Sequence, residues 1–171
     1  MLHLIAKAVE RLLPPALHRA LLPLAFHVRH RWRLWRGTRL AGCAVVIENG
    51  AGEILLLRHS YGPRGWMLPG GGIDRGEEPE AAARREIAEE LGIELSRLEL
   101  VAVIEEVVSG SPHSAHLFAA TSTARPRPDR REVIEARFFP ADSLPEPLGP
   151  VTAARIAAWK AQGRARGTGR G

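Results

Sequence analysis

Apolar and polar positions change rhythm several times along this 171-residue chain. Leu2, Ile5, Val9, Leu12 and Leu13 recur at helical spacing until Pro14 and Pro15 interrupt. Residues 16–35 form a second stretch, rich in leucine and basic side chains, with Pro23 as a break. A continuous apolar, β-branched run at 40–47 predicts a strand, and Asn49-Gly50-Ala51-Gly52 predicts a turn. Residues 54–57 then return as a second strand, so a hairpin is expected. Pro79 suits the first position of a helix, which runs through Ala81, Ala82 and Ala83 to Leu91 and stops at Gly92. Residues 98–108 and 116–120 read as two further strands joined by Ser109-Gly110-Ser111-Pro112. A basic, proline-containing loop at 124–131 leads into a strand at 133–139. Residues 152–162 read as a terminal helix with Ile156 and Trp159 on one side. The last segment, 163–171, is so rich in glycine and charge that a disordered tail is expected. Such an order suits an α/β/α sandwich around a mixed sheet.

Composition bounds the class. A chain of 171 residues buries one sizeable core, and its 45% apolar and 25% charged content is ordinary for a globular domain. Cys43 is the single cysteine, so an intramolecular disulfide is excluded and a cytoplasmic setting is expected. It lies in the apolar run AGCAVVI, where a buried strand residue is a better reading than a nucleophile.

Charge separates the chain into two parts. The first 40 residues carry eight basic residues against Glu10 alone, a net +7, which leaves −2 for the remainder of a chain whose total is +5. Residues 1–38 are therefore expected to be a basic amphipathic helical extension, 39–162 a single domain, and 163–171 the tail. The extension ends in HVRHRWRLWRG, where Trp32 and Trp35 alternate with arginines. It could lie at an anionic membrane surface, making the protein peripheral there. It could grip RNA through phosphate contacts and stacking. It could also pack on the domain or form a homodimer contact, with arginines at the rim. Pro14, Pro15, His18, Arg19 and Pro23 break up any secretory leader, and no run of about 20 apolar residues is present.

The chemistry concentrates in residues 71–93, GGIDRGEEPEAAARREIAEELGI. Glu86, Glu89 and Glu90 fall at i, i+3 and i+4, so on a helix all three carboxylates leave one face. Their mutual repulsion becomes binding if a hard divalent cation with oxygen ligands intervenes. Just upstream, WMLPGGG supplies glycines that let a backbone come close to a ligand. A glycine loop entering an acidic helix is a plausible cradle for a metal-bound diphosphate.

This segment resembles the Nudix box, G-x5-E-x7-R-E-U-x-E-E-x-G-U with U aliphatic. Gly71, Glu77, Arg85, Glu86, Ile87, Glu89, Glu90, Gly92 and Ile93 meet every specified position. The resemblance implies the Nudix fold and attack by water on a diphosphate linkage, typically in a nucleoside diphosphate joined to another moiety. It implies Mg²⁺ as cofactor, with Mn²⁺ as a substitute. Glu86 and Glu90 would be the principal metal ligands, and Glu89 a third ligand or the base that activates water. The carbonyl of Gly70 is a further ligand by the same resemblance. Arg85 would orient a glutamate, and Glu77 would support the metal site or its loop. The family often recruits another acid from outside the box, for which Glu132 is preferred over Glu135. Arg58, His59, Tyr61 and Arg64 precede the glycine loop. Of these, Arg58 and Arg64 are taken with Gly71 as the substrate-binding candidates.

Two alternatives remain open at this level. One is a Nudix module that senses a nucleotide without hydrolysing it. The other is an RNA-end pyrophosphohydrolase, or an adaptor, whose basic arm holds RNA or membrane. The single tyrosine, Tyr61, precedes the box, so the tyrosine that marks dinucleoside polyphosphate hydrolases is absent.

Overall fold

The computed structural model describes residues 40–60, 64–108 and 111–168. The expected basic extension, 1–38, and Tyr61 lie outside them. Five strands and two helices follow one another as β1 (Leu40–Glu48), β2 (Glu53–His59), α1 (Pro79–Leu91), β3 (Glu99–Val108), β4 (Ser111–Thr121), β5 (Val133–Pro140) and α2 (Thr152–Thr168). The strands form one sheet in the order β3-β4-β1-β2-β5. β1 and β4 run parallel, and the other three pairs are antiparallel. Among the described residues no helix is long and apolar enough to cross a membrane.

The central strands are apolar on both sides because both faces are covered, the usual reason for an unbroken run. Cys43, Val45, Ile47, Leu55 and Leu57 pack under Ala82, Ala83, Ile87 and Leu91 of α1. On the other face, Ala44, Val46, Ile54 and Leu56 meet Ile156 and Trp159 of α2. An α/β/α sandwich with a mixed sheet results. Two boundaries differ from the sequence reading. β4 starts at Ser111, five residues before the expected strand, because β3 and β1 pair with it on either side. α2 runs on to Thr168, into the stretch expected to be a tail. Gly163 costs a helix only about 1 kcal/mol, which two arginines and an alanine after it partly offset.

The hairpin does not stay zipped. β1 and β2 pair at Glu48↔Ile54, and the segment 66–73 then lies between the diverging strands. Val45 N–H donates to Pro69 O and Cys43 N–H to Gly71 O, both at 2.9 Å, while Met67 exchanges two bonds with Leu57. This splaying places the glycine loop in the plane of the sheet, beneath α1. Gly70 fits there at φ 143, where an added Cβ would stand 2.3 Å from Cys43 O. Only glycine takes that conformation so close to another backbone.

Candidate active site

α1 carries the acids because its ends are well defined. Pro79 stands at the N-terminus, and Gly92, left-handed at φ 62, closes the other end by donating to Ala88 O at 3.0 Å. Its apolar residues face the sheet, so Glu86 and Glu90 lie at the margin of the buried stripe over the glycine loop. Glu90 is only 6% exposed and accepts the Gly70 N–H at 3.2 Å. Glu86 lies against Gly71, whose missing Cβ would fall 2.4 Å from the Glu86 carboxyl carbon. Glu89 is half exposed.

Arg85 ties the helix to the loop ahead of it. Its guanidinium donates to both Glu77 oxygens at 2.8 and 2.9 Å, to Glu86 Oε1 at 2.7 Å and to Gly72 O at 3.1 Å. Glu89 is farther, at 3.7 Å. An i,i+4 spacing by itself favours Glu89 as the partner of Arg85, but the loop brings Glu77 closer and in fork geometry. Glu77 in turn accepts the Asp74 N–H at 2.9 Å.

Glu132, the preferred candidate for an acid from outside the box, comes with the β5 entry loop. Asp129 accepts the N–H groups of Arg131, Glu132 and Val133, and its own N–H donates to Glu90 O at 3.1 Å. Ser60 N–H binds Glu132 O at 2.8 Å. Glu132 is thereby held between the end of β2 and the end of α1, close enough for its charge to raise the carboxyl pKa of Glu86 and Glu90. Glu135 faces elsewhere, paired with Arg58 at 3.5 Å and Arg137 at 2.7 Å.

The electrostatics are those of an anionic cluster. Burial first, then Glu86 and Glu132, push the Glu90 carboxyl well above the ordinary carboxylate range. Glu86 also moves up, by burial, with the Arg85 guanidinium opposing. Burial draws His59 down, so a neutral imidazole lies 3.7 Å from Glu90 Oε1. A divalent cation fits this set chemically: the donors are carboxylate oxygens, and the buried charge lacks full compensation. Among the described residues, no three His, Cys, Asp or Glu side chains form a ready-made metal cage. Glu86 is turned to Arg85, and Glu90 to Gly70.

Not every expected residue joins the cluster. Arg58 lies over the Trp66 ring, 5.8 Å from its centroid, on the α2 face with Glu135. Alternation along β2 continues from Leu55 and Leu57 to His59, so His59, and not Arg58, turns toward the carboxylates. Arg64 is exposed on the loop entering the glycine run. Gly71 touches Glu86, so what it offers is room for a carboxylate. His113 is bound to Glu106 at 3.0 Å on the side where Arg155 of α2 reaches the same carboxylate. Sequence reasoning underweighted His59 and missed Asp129. The basic loop around Asp129 gave no sign that it folds onto α1.

A family model of the NUDIX domain matches residues 38–160. The chain belongs to the NUDIX family. A MutT NUDIX hydrolase from Burkholderia pseudomallei is similar in structure, with a TM-score of 0.65 and 32% identity over 71% of this chain and 98% of that one. Among curated proteins, an RNA pyrophosphohydrolase of Rhodospirillum rubrum is 43% identical over 30% of this chain and 31% of its own length. Diphosphoinositol polyphosphate phosphohydrolase 3-alpha of Mus musculus is 35% identical over 48% of this chain and 50% of its own. The chain thus spans 31% to 50% of the length of these curated relatives. This NUDIX chain carries Glu86, Glu89 and Glu90 on α1.

Proposed function

We propose that this NUDIX protein hydrolyses a diphosphate linkage in a nucleoside diphosphate joined to another moiety, with a divalent metal as cofactor. The observation that carries the reading is the cluster of Glu86, Glu90 and Glu132 over the glycine loop, with Arg85 holding Glu86 and Glu77. Mg²⁺, or Mn²⁺ in its place, would be held by Glu86, Glu89, Glu90, Glu132 and the Gly70 carbonyl, neutralising phosphate charge and lowering the pKa of bound water. The remaining work falls to the protein. Glu89, half exposed beside Arg85, takes the proton of the water that attacks phosphorus as the anhydride P–O bond breaks. Arg85 keeps the carboxylates apart and oriented, a positioning role. Gly70 and Gly71 let the loop backbone and a carboxylate share a space that no side chain could enter.

A second reading, hydrolysis at the 5′ end of RNA, is favoured by the names of relatives such as the Rhodospirillum rubrum protein and by the basic first 40 residues. The test is phosphate-product release from nucleotides, nucleotide sugars, dinucleotides and 5′-triphosphorylated RNA, with Mg²⁺ or EDTA, beside Glu90→Gln. Turnover that requires metal and vanishes in the variant supports hydrolysis and names the substrate class. Metal-dependent binding of one ligand without turnover of any would overturn it in favour of a nucleotide sensor.

A further inference from the structure

Asp129 bonds to the backbones of two acids at once. Its N–H donates to Glu90 O at 3.1 Å, on the last turn of α1. Its carboxylate accepts the Glu132 N–H at 3.1 and 3.2 Å, one contact to each oxygen. The same Oδ1 also takes the N–H groups of Arg131 at 3.0 Å and Val133 at 2.9 Å. These four contacts match the roughly four acceptor sites of a carboxylate, so Asp129 has little left to offer a metal itself.

The rest of the loop fixes this bridge. Arg127 N–H donates to Leu91 O at 2.8 Å, one residue further along α1. From the other side, Ser60 gives its N–H to Glu132 O and its hydroxyl to Arg131 O, both at 2.8 Å. The backbone of Glu132 is thus gripped twice, its N–H by Asp129 and its C=O by Ser60. Arg130 is left-handed at φ 60, a strained conformation for a residue with a Cβ. Such strain persists only where the surroundings impose it, and it gathers at functional sites. The choice of a carboxylate also has a cost, since the Asp129 charge adds to Glu86 and Glu132 in raising the Glu90 carboxyl. A neutral acceptor would avoid that repulsion, but a carboxylate accepts N–H groups more strongly.

We propose that Asp129 is a positioning residue for the metal site, bridging Glu90 O and the Glu132 N–H so that both carboxylates can serve one divalent cation. The inference rests on the metal-dependent reading above.

The test is Mn²⁺ titration of the full-length chain by calorimetry, with no substrate present. Asp129→Ala should weaken binding by about 10- to 100-fold, the usual loss when a group that orients a metal ligand is removed. Asp129→Ser, whose hydroxyl caps such loops more weakly, stands in should the alanine variant not fold. Asp129→Asn keeps an oxygen for the three N–H groups and should recover most of the loss. Were Asp129 a ligand or only a nearby charge, Asn and Ala would lose alike, and the proposal would fall. Glu132→Gln supplies the second comparison. If Asp129 acts through Glu132, adding Asp129→Ala to Glu132→Gln should weaken Mn²⁺ binding no further, whereas an equal further loss would refute that route. Unchanged affinity in Asp129→Ala with a lowered melting temperature would make Asp129 a loop-stabilising residue alone, against the proposal. Absence of Mn²⁺ binding by the unsubstituted chain is a distinct failure, which would overturn the metal reading and this proposal with it.

Discussion

Adding one methyl group to each of two adjacent glycines should separate folding from chemistry. Gly70→Ala places a Cβ 2.3 Å from Cys43 O and 2.9 Å from Ala44 Cα, both backbone atoms of the central strand, at φ 143. Neither atom can move without disturbing β1. Backbone strain of about 1–3 kcal/mol and overpacking of about 1–3 kcal/mol together approach the roughly 5–15 kcal/mol that holds a domain folded. Gly71→Ala differs. Its φ is not positive, and the nearest atoms its Cβ meets are those of the Glu86 carboxylate, 2.4 Å away at the carboxyl carbon. That carboxylate must retreat by about 1 Å to reach ordinary contact, which costs little stability, within about 1 kcal/mol. A displacement of that size at a catalytic group can nonetheless cost on the order of 100-fold in rate. Urea unfolding monitored by tryptophan fluorescence, with turnover at saturating Mg²⁺, measures both. Gly70→Ala should lose several kcal/mol or fail to fold, while Gly71→Ala should keep its midpoint and lose turnover. Equal destabilisation by the two variants, or wild-type turnover in Gly71→Ala, would refute the placement of Glu86 against the loop.

Other consequences follow from the same geometry. Glu90→Gln removes a charge from a side chain 6% exposed and repelled by Glu86 and Glu132. In metal-free buffer at neutral pH it should melt at least about 2 °C higher by calorimetry, and a lower melting temperature would contradict the reading. Arg85→Lys keeps the charge but cannot span Glu77 and Glu86 as a fork. Its turnover should fall by about 10- to 100-fold with the circular-dichroism spectrum unchanged, and wild-type turnover would argue against a positioning role. Burial moves the Cys43 thiol from 9.0 to about 11. The folded chain therefore keeps a proton that the unfolded chain has released, so stability falls as pH rises from 9 to 11. The loss, complete only above pH 11, approaches about 3 kcal/mol. Cys43→Ala should flatten that slope in denaturation curves at pH 8, 9, 10 and 11, and an unaltered slope would assign it to another group.

Much of this site was legible along the chain. Glu86, Glu89 and Glu90 share a face because helical periodicity is a local property, and Pro79 and Gly92 bound that helix by their own φ preferences. The apolar runs of β1 and β2 likewise announced strands covered on both sides. Pairings between distant segments were not legible. Nothing local says that 66–73 will lie between β1 and β2, that Arg85 will prefer Glu77 over the residue one turn away, or that Asp129 will fold Glu132 onto the end of α1. The bulge that skips Ile134 sets Val133 opposite His59, a register that comes only from the pairing of β2 with β5. Periodicity and end signals are short-range and act within one turn or one strand. Burial, register and carboxylate repulsion depend on segments tens of residues apart, and these only the tertiary structure decided.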